Sequence, residues 1–177
     1  HKRPVYIEIP MDLVNQPCPP ATNMIQQPAK LTDENSLLEA VEEAVNLLEK
    51  AERPVILAGV EFNRFDLEDK LLTLLEKTGY PITTTLLGKS CISEIHPQFI
   101  GNYVGALSGE YVRDRVETAD CILCLGAIMS DMNLGGYTAK LDDNRLINAN
   151  SEKVKIKHHF YQPIYLGDFL DGLINKL

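Results

Sequence analysis

The chain has 177 residues, of which 45% are hydrophobic, 24% charged and 7% aromatic, and its formal net charge is −8. That length supports one domain with a core of its own, needing neither metal nor disulfide staples. An acidic chain without a basic block is a poor partner for nucleic acid or an anionic membrane, since both demand clustered Lys or Arg. The longest nearly apolar run, Ile122 to Met129, falls far short of the ~20 residues that span a bilayer.

The first residue is His, and an apolar stretch begins at once with Pro4-Val5-Tyr6-Ile7-Glu8-Ile9-Pro10. It reads as a short strand closed by proline, and with no leader of its own it suggests a piece of a longer protein. Residues 1–15 are therefore expected to be the tail of an upstream domain. Prolines 17, 19, 20 and 28 make 16–31 a semi-rigid connector, and the domain proper is expected at 32–177.

Thr32-Asp33-Glu34 predicts a helix start, with a capping side chain and acidic residues at the positive end of the dipole. Leu37, Leu38, Val41, Ala44, Val45 and Leu48 form one apolar stripe, as a surface helix requires. Pro54–Gly59 is a continuous apolar run, the mark of a strand buried on both faces. Asp66 is expected to cap a second helix carrying Leu67, Leu71, Leu74 and Leu75 inward and stopping at Gly79. Pro81–Leu86 is a second strand. A polar loop follows, then Phe99–Gly105. Ser108 is expected to cap a third helix with Val112, Val116 and Ala119 inward. Cys121–Leu125 is a third buried strand, Arg145–Ala149 a fourth, and Val154–Ile156 and Pro163–Tyr165 are shorter candidates. Gly167–Leu177 is a closing helix.

This alternation predicts an α/β fold: an open, mostly parallel sheet with helices on both faces, a Rossmann-like three-layer sandwich. Ligands of such sheets sit beyond the carboxyl ends of the strands. The loops that could line a crevice are 59–65, 87–97, 126–136 and 149–153.

Few of their residues form a recognisable catalytic set. His96 is a mid-chain loop histidine with Glu94 two residues away, and His-Pro suits a turn better than a general base. Lys89 follows Gly88, but a phosphate loop would need Gly at position 83, which is Thr. Ala58-Gly59-Val60-Glu61 offers one glycine where a dinucleotide fingerprint needs three. Asp131 and Asn133, in Ser-Asp-Met-Asn-Leu-Gly-Gly, are half of an oxygen-donor site or the makings of an Asx turn. His158 and His159 lie in a solvated Lys-rich stretch. Cys121 and Cys124 have CxxC spacing, but residues three apart on a strand face opposite sides, which suits neither a chelate nor a redox pair. Unpaired thiols fit a reducing cytoplasm.

Several motifs in series carry a resemblance. Arg3-Pro4-Val5-Tyr6-Ile7-Glu8-Ile9-Pro10-Met11-Asp12 resembles the segment closing the pyrimidine-binding domain of thiamine-diphosphate-dependent 2-oxo-acid decarboxylases. Arg53–Gly59 is similar to the first strand of their middle domain. Gly88-Lys89-Ser90, Glu94-Ile95-His96-Pro97 and Gly101–Gly105 resemble their Gly-Lys-Gly, Glu-x-His-Pro and Gly run, with Ser90 for the second glycine. Ala119–Ala127 and Ser130-Asp131-Met132-Asn133 resemble the pyruvate and indolepyruvate decarboxylase branch.

The resemblance implies a middle domain between pyrimidine-binding and diphosphate-binding domains, in a homo-oligomeric enzyme that converts a 2-oxo acid to an aldehyde and CO2. Thiamine diphosphate and magnesium belong to that full-length enzyme, and none is expected on this chain alone. The diphosphate domain's Gly-Asp-Gly motif is absent; Leu166-Gly167-Asp168-Phe169 lacks its second glycine. No catalytic residue is expected here, and the domain's role is spacing and regulation. The loop position that carries a regulatory cysteine in substrate-activated members matches Glu61, and Arg64 could meet a 2-oxo-acid carboxylate. A free-standing FAD- or ADP-binding module is the alternative, because related middle domains bind those nucleotides in this crevice.

Overall fold

The computed structural model describes residues 4–18, 20 and 32–177, in two compact units, residues 1–30 and 31–177. In the first unit, Pro4–Pro10 is not a strand, contrary to expectation. Strands exist by ladder pairing, and no described strand pairs with this one. Val5, Tyr6, Ile7 and Ile9 are exposed. A single 3-10 turn follows at Met11–Leu13. Most of the proline-rich connector lies outside the described residues.

The second unit opens as the sequence predicts. Helix α1 (Glu34–Leu48) begins at Asp33, whose carboxylate accepts from the Ser36 amide at 2.8 Å. Just before it, Thr32 Oγ1 donates to the Asp168 carboxylate and accepts from the Tyr165 amide, and the Asp33 amide donates to Pro163 O.

Strands β1 (Pro54–Ala58), β2 (Ile82–Thr84), β3 (Phe99–Asn102), β4 (Cys121–Leu125), β5 (Leu146–Ala149), β6 (Val154–Ile156) and β7 (His159–Tyr161) form one open sheet in the order β3-β2-β1-β4-β5-β6-β7. The first five are parallel; β6 and β7 are antiparallel additions at one edge. Strand order reverses between β1 and β4, so the loops leaving these two strands diverge from a common point, the usual ligand crevice of such a sheet.

Alternate strand residues feed two cores. One face buries Ile56, Ala58, Leu123, Leu125, Ile147 and Ile156 under α1, α3 (Glu68–Thr78) and α5 (Leu166–Lys176). The other buries Val55, Leu57, Ile122 and Cys124 under α4 (Glu110–Glu117), through Val112 and Val116. Each Leu that α5 buries completely, Leu170 and Leu173, contributes roughly 1.5–3 kcal/mol. The mostly parallel, open α/β architecture with helices on both faces is as expected.

Several local expectations are corrected. Residues 59–65 are not all loop: Glu61–Phe65 is a short helix, α2. Asp66 ends α2 instead of starting α3. Its φ of 56° is left-handed, a conformation that Asp tolerates and most residues do not. Ser108 does not cap α4. Its hydroxyl accepts from the Val104 amide and donates to Gly105 O, both at 2.7 Å, and Gly109 takes the cap position. Pro163–Tyr165 is not a strand, because proline brings no ladder donor and the Ile164 amide is spent on Glu152 O. The last strand is His159–Tyr161 instead. No α-helix links β4 to β5, only turns and a 3-10 segment at Asp143–Arg145.

Candidate functional site

The carboxyl ends of β1 and β4 meet through backbone. The Gly59 amide donates to Leu125 O at 2.8 Å, the Glu61 amide to Gly126 O at 3.0 Å, and the Gly126 amide to Ala149 O at 2.8 Å. Only glycine fits at 59, where a Cβ would stand 2.2 Å from Ala127 Cα. Gly126 turns the chain at φ 62°. The switch point is therefore closed by the protein's own amides and carbonyls.

Glu61 reinforces this closure. It is 3% exposed, and its carboxylate accepts from the Ser151 amide at 2.8 Å and the Ser151 hydroxyl at 3.0 Å. One buried acid thus ties α2 to the loop after β5, supplying the hydrogen bonds a buried charge requires. Glu61 and the 149–153 loop stand out in the sequence; Ser151 does not. A serine just beyond a strand, in Asn150-Ser151-Glu152, looks like ordinary loop chemistry. Three residues further along α2, Arg64 holds a buried Nη1 with no hydrogen-bond partner.

Asn133, 1% exposed, does the same work between two other loops. Its Oδ1 accepts from the Leu87 amide at 3.1 Å and its Nδ2 donates to Ile128 O at 2.7 Å. Asp131 is exposed, and its carboxylate accepts from the Met132 amide at 2.8 Å. The two side chains serve separate turns. Lys89 meets Glu94 at 3.4 Å on the surface, and His96 Nδ1 accepts from the Gln98 amide at 3.3 Å. The fold joins Glu61 to the 149–153 loop and Asn133 to the 87–97 loop, while Lys89 and His96 are engaged within their own loop.

The thiols follow the strand geometry. Cys121 belongs to one core and Cys124 to the other. Burial pushes both thiols up to about 12; for Cys121 the Asp120 carboxylate adds to the rise and Lys157 opposes it. Burial and the nearby Glu68 raise Cys91 to about 12 as well.

Two ligand classes can be tested against these contacts. Thiamine diphosphate is held through a divalent cation, and no group of three or more His, Cys, Asp or Glu able to hold a metal occurs among the described residues. Asp168, in the string nearest the family's metal motif, is committed to Thr32. The donors present do not fit that cofactor. A nucleotide phosphate would need free amides beyond β1, where the Gly59 and Glu61 amides are already engaged and a carboxylate is buried. The nucleotide alternative finds no support.

The fold and its closed crest define a doubly wound α/β domain. Comparison with known proteins gives the family. Residues 41–168 match the model of the thiamine pyrophosphate enzyme central domain, and the chain belongs to that family. It is 34% identical to a pyruvate decarboxylase of Hanseniaspora uvarum over 178 aligned residues, 99% of this chain and 32% of that protein. It is 33% identical to pyruvate decarboxylase isozyme 2 of Saccharomyces cerevisiae, with the same coverage. An indole-3-pyruvate decarboxylase of Azospirillum brasilense is 31% identical, again over 99% of this chain and 32% of the relative. The chain spans about a third of the length of these relatives.

Proposed function

We propose that this chain is the middle domain of a thiamine-diphosphate-dependent, non-oxidative 2-oxo-acid decarboxylase of the pyruvate/indolepyruvate type, which releases an aldehyde and CO2. The observation that carries the reading is the central-domain match over residues 41–168 together with decarboxylase relatives aligned along 99% of the chain. In this reading, residues 1–15 end the pyrimidine-binding domain, 16–31 connect, and 32–177 form the middle domain. A diphosphate-binding domain follows. Thiamine diphosphate and Mg2+ are held by the flanking domains, and the parent enzyme is a homo-oligomer. Buried thiols at Cys91, Cys121 and Cys124 favour a reducing cytoplasm. No described helix is long and apolar enough to cross a membrane.

The domain's own contribution is mechanical and regulatory. A crest closed by backbone contacts makes a rigid spacer between the cofactor-bearing domains. α2 is the element we assign to regulation. The unpartnered Nη1 of Arg64 is suited to a carboxylate, and Glu61 sets the position of α2 through Ser151.

The test compares two proteins with thiamine diphosphate and Mg2+ supplied. The enzyme encoded by the full gene should turn over pyruvate or indolepyruvate, read as aldehyde in a coupled alcohol dehydrogenase assay. The 177-residue chain should give none. Decarboxylation by the chain alone, or no 2-oxo-acid turnover by the full enzyme, overturns the reading.

A further inference from the structure

The closed crest of the sheet has an outer surface, and it is apolar. Leu86, Leu87, Leu107, Met132 and Tyr137 stand exposed there, Leu107 at 78% and Tyr137 at 71%. They belong to the loops that follow the carboxyl ends of β2, β3 and β4. Hydrogen bonds tie these loops to one another beside the apolar side chains. The Leu87 amide donates to Asn133 Oδ1, and the Ala106 amide donates to the Thr138 hydroxyl at 2.8 Å. That hydroxyl in turn donates to Gly135 O at 2.7 Å.

Tyr137 is held at a φ of 62°, a left-handed conformation that crowds the Cβ of a bulky residue. Its ring recovers little from the fold, because it stands in solvent. Strained residues persist where their surroundings fix them, and they gather at binding surfaces. Tyr and Met are enriched where proteins meet, and a frame already fixed lowers the cost of ordering on contact. The surface therefore suits an apolar protein face.

The path of the chain selects which one. Thr32 enters against Tyr165 and Asp168, next to Leu166, whose side chain lies over Gly126 just beyond β4. The entry is thus at the carboxyl end of the sheet, the end that carries the apolar surface. α5 runs from there toward the amino end, where Lys77, near the end of α3, donates to Ile174 O. The amino end is of another character. It holds a cavity of about 140 Å³ walled by charges of both signs: Lys50 beyond α1, Asp120 where β4 starts and Arg145 before β5.

From this we propose that the surface carried by Leu107, Met132 and Tyr137 docks the domain that precedes the connector in the longer polypeptide. The proposal rests on the reading of this chain as the middle domain of a longer enzyme. The chain covers only 32% of its relatives, so most of such an enzyme lies outside it. A short connector holds what precedes it at an effective concentration on the order of millimolar, well above that of a free partner.

The experiment places a photo-cross-linker in the enzyme encoded by the full gene, as Tyr137→p-benzoylphenylalanine. After irradiation the cross-link should join position 137 to sequence ahead of residue 1 in the same polypeptide, at monomer mass on a denaturing gel. Adding Leu107→Asp should cut its yield about fivefold, the loss of one contact worth a hot spot. The same substitution should leave the melting temperature of the 177-residue chain unchanged, because Leu107 is exposed there. A dimer-sized product, a cross-link to sequence beyond Leu177, no cross-link at all, or a yield that Leu107→Asp does not alter would each overturn the proposal. Turnover of a 2-oxo acid by the same enzyme separates the two readings. Turnover without the expected cross-link overturns the docking alone, and the cross-link without turnover overturns the decarboxylase reading alone.

Discussion

The two ends of one sheet are built on opposite terms. At the carboxyl end, where doubly wound folds usually take their ligands, glycine lets backbone touch backbone and buried Glu61 and Asn133 bolt the loops together. At the amino end the loops stay apart, charged side chains line the gap, and a cavity remains. A shared fold therefore does not decide which end its own loops close over. Here the difference comes from a few residues: a glycine at 59, a glutamate at 61 and an asparagine at 133.

The comparison breaks most readily at Gly59. Gly59→Ala would drive a methyl to 2.2 Å from Ala127 Cα and Gly126 O, and backbone cannot yield as a side chain does. We expect a loss of about 3 kcal/mol or more in urea unfolding. A loss under about 1 kcal/mol would mean that the crest is not sealed as described. Ser151→Ala comes next, since it leaves the buried Glu61 carboxylate with one hydrogen bond. We expect a cost of about 1–3 kcal/mol, with Glu61→Gln partly restoring stability in the double variant. Asn133→Ala removes one bond between loops and one within its own and should cost about 1–2 kcal/mol, with hydrogen exchange speeding up at the Leu87 amide first.

The amino end should respond to pH instead. Desolvation works against the Asp120 carboxylate, but the Glu52 and Arg53 amides outweigh it and hold its pKa below the ordinary 3.8. A depressed folded-state pKa adds stability above the unfolded value, and that stability fades as pH falls through the folded one. Acid unfolding curves of Asp120→Asn should therefore be shallower than those of the parent below about pH 4 and parallel to them above it. The smallest effect is chemical. With thiol pKa values near 12, Cys91 and Cys121 are thiolate to only about one part in ten thousand at pH 8. They should resist an aromatic disulfide reagent until the protein unfolds, and prompt labelling of either would show that its core is open.

The parts of this architecture that follow local rules are legible in the sequence. The buried parallel strands announce themselves as apolar runs such as Pro54–Ala58, and α1 and α5 by their apolar stripes. The series of motifs from Arg3 to Asn133 points to the family. The failures occur where one residue has two possible uses. Asp66 can start a helix or finish one, and only its φ of 56° decides. Ser108 stands at a helix start yet spends its hydroxyl on the turn before it. Pro4–Pro10 has a strand's composition but no ladder partner among the described residues. The candidate site was half legible. Glu61 and Asn133 stand out in the sequence as crevice-loop residues, but their long-range partners, Ser151 ninety positions away and Leu87 forty-six away, leave no local pattern. The amino-end cavity left no trace in the sequence, because its walls come from three separated segments.

The knot of hydrogen bonds at Thr32 has a consequence under load. Thr32 and Asp33 bind Asp168, Tyr165 and Pro163, so the chain enters the domain riveted to the start of its last helix. A displacement of Thr32 would therefore be felt first at the start of α5 rather than in the central strands. Eleven residues at ~1.5 Å each would carry that displacement about 16 Å to the helix's far end. The segment ahead of α1 and the eleven residues of α5 are thus tied to one another directly, without a bond routed through the sheet.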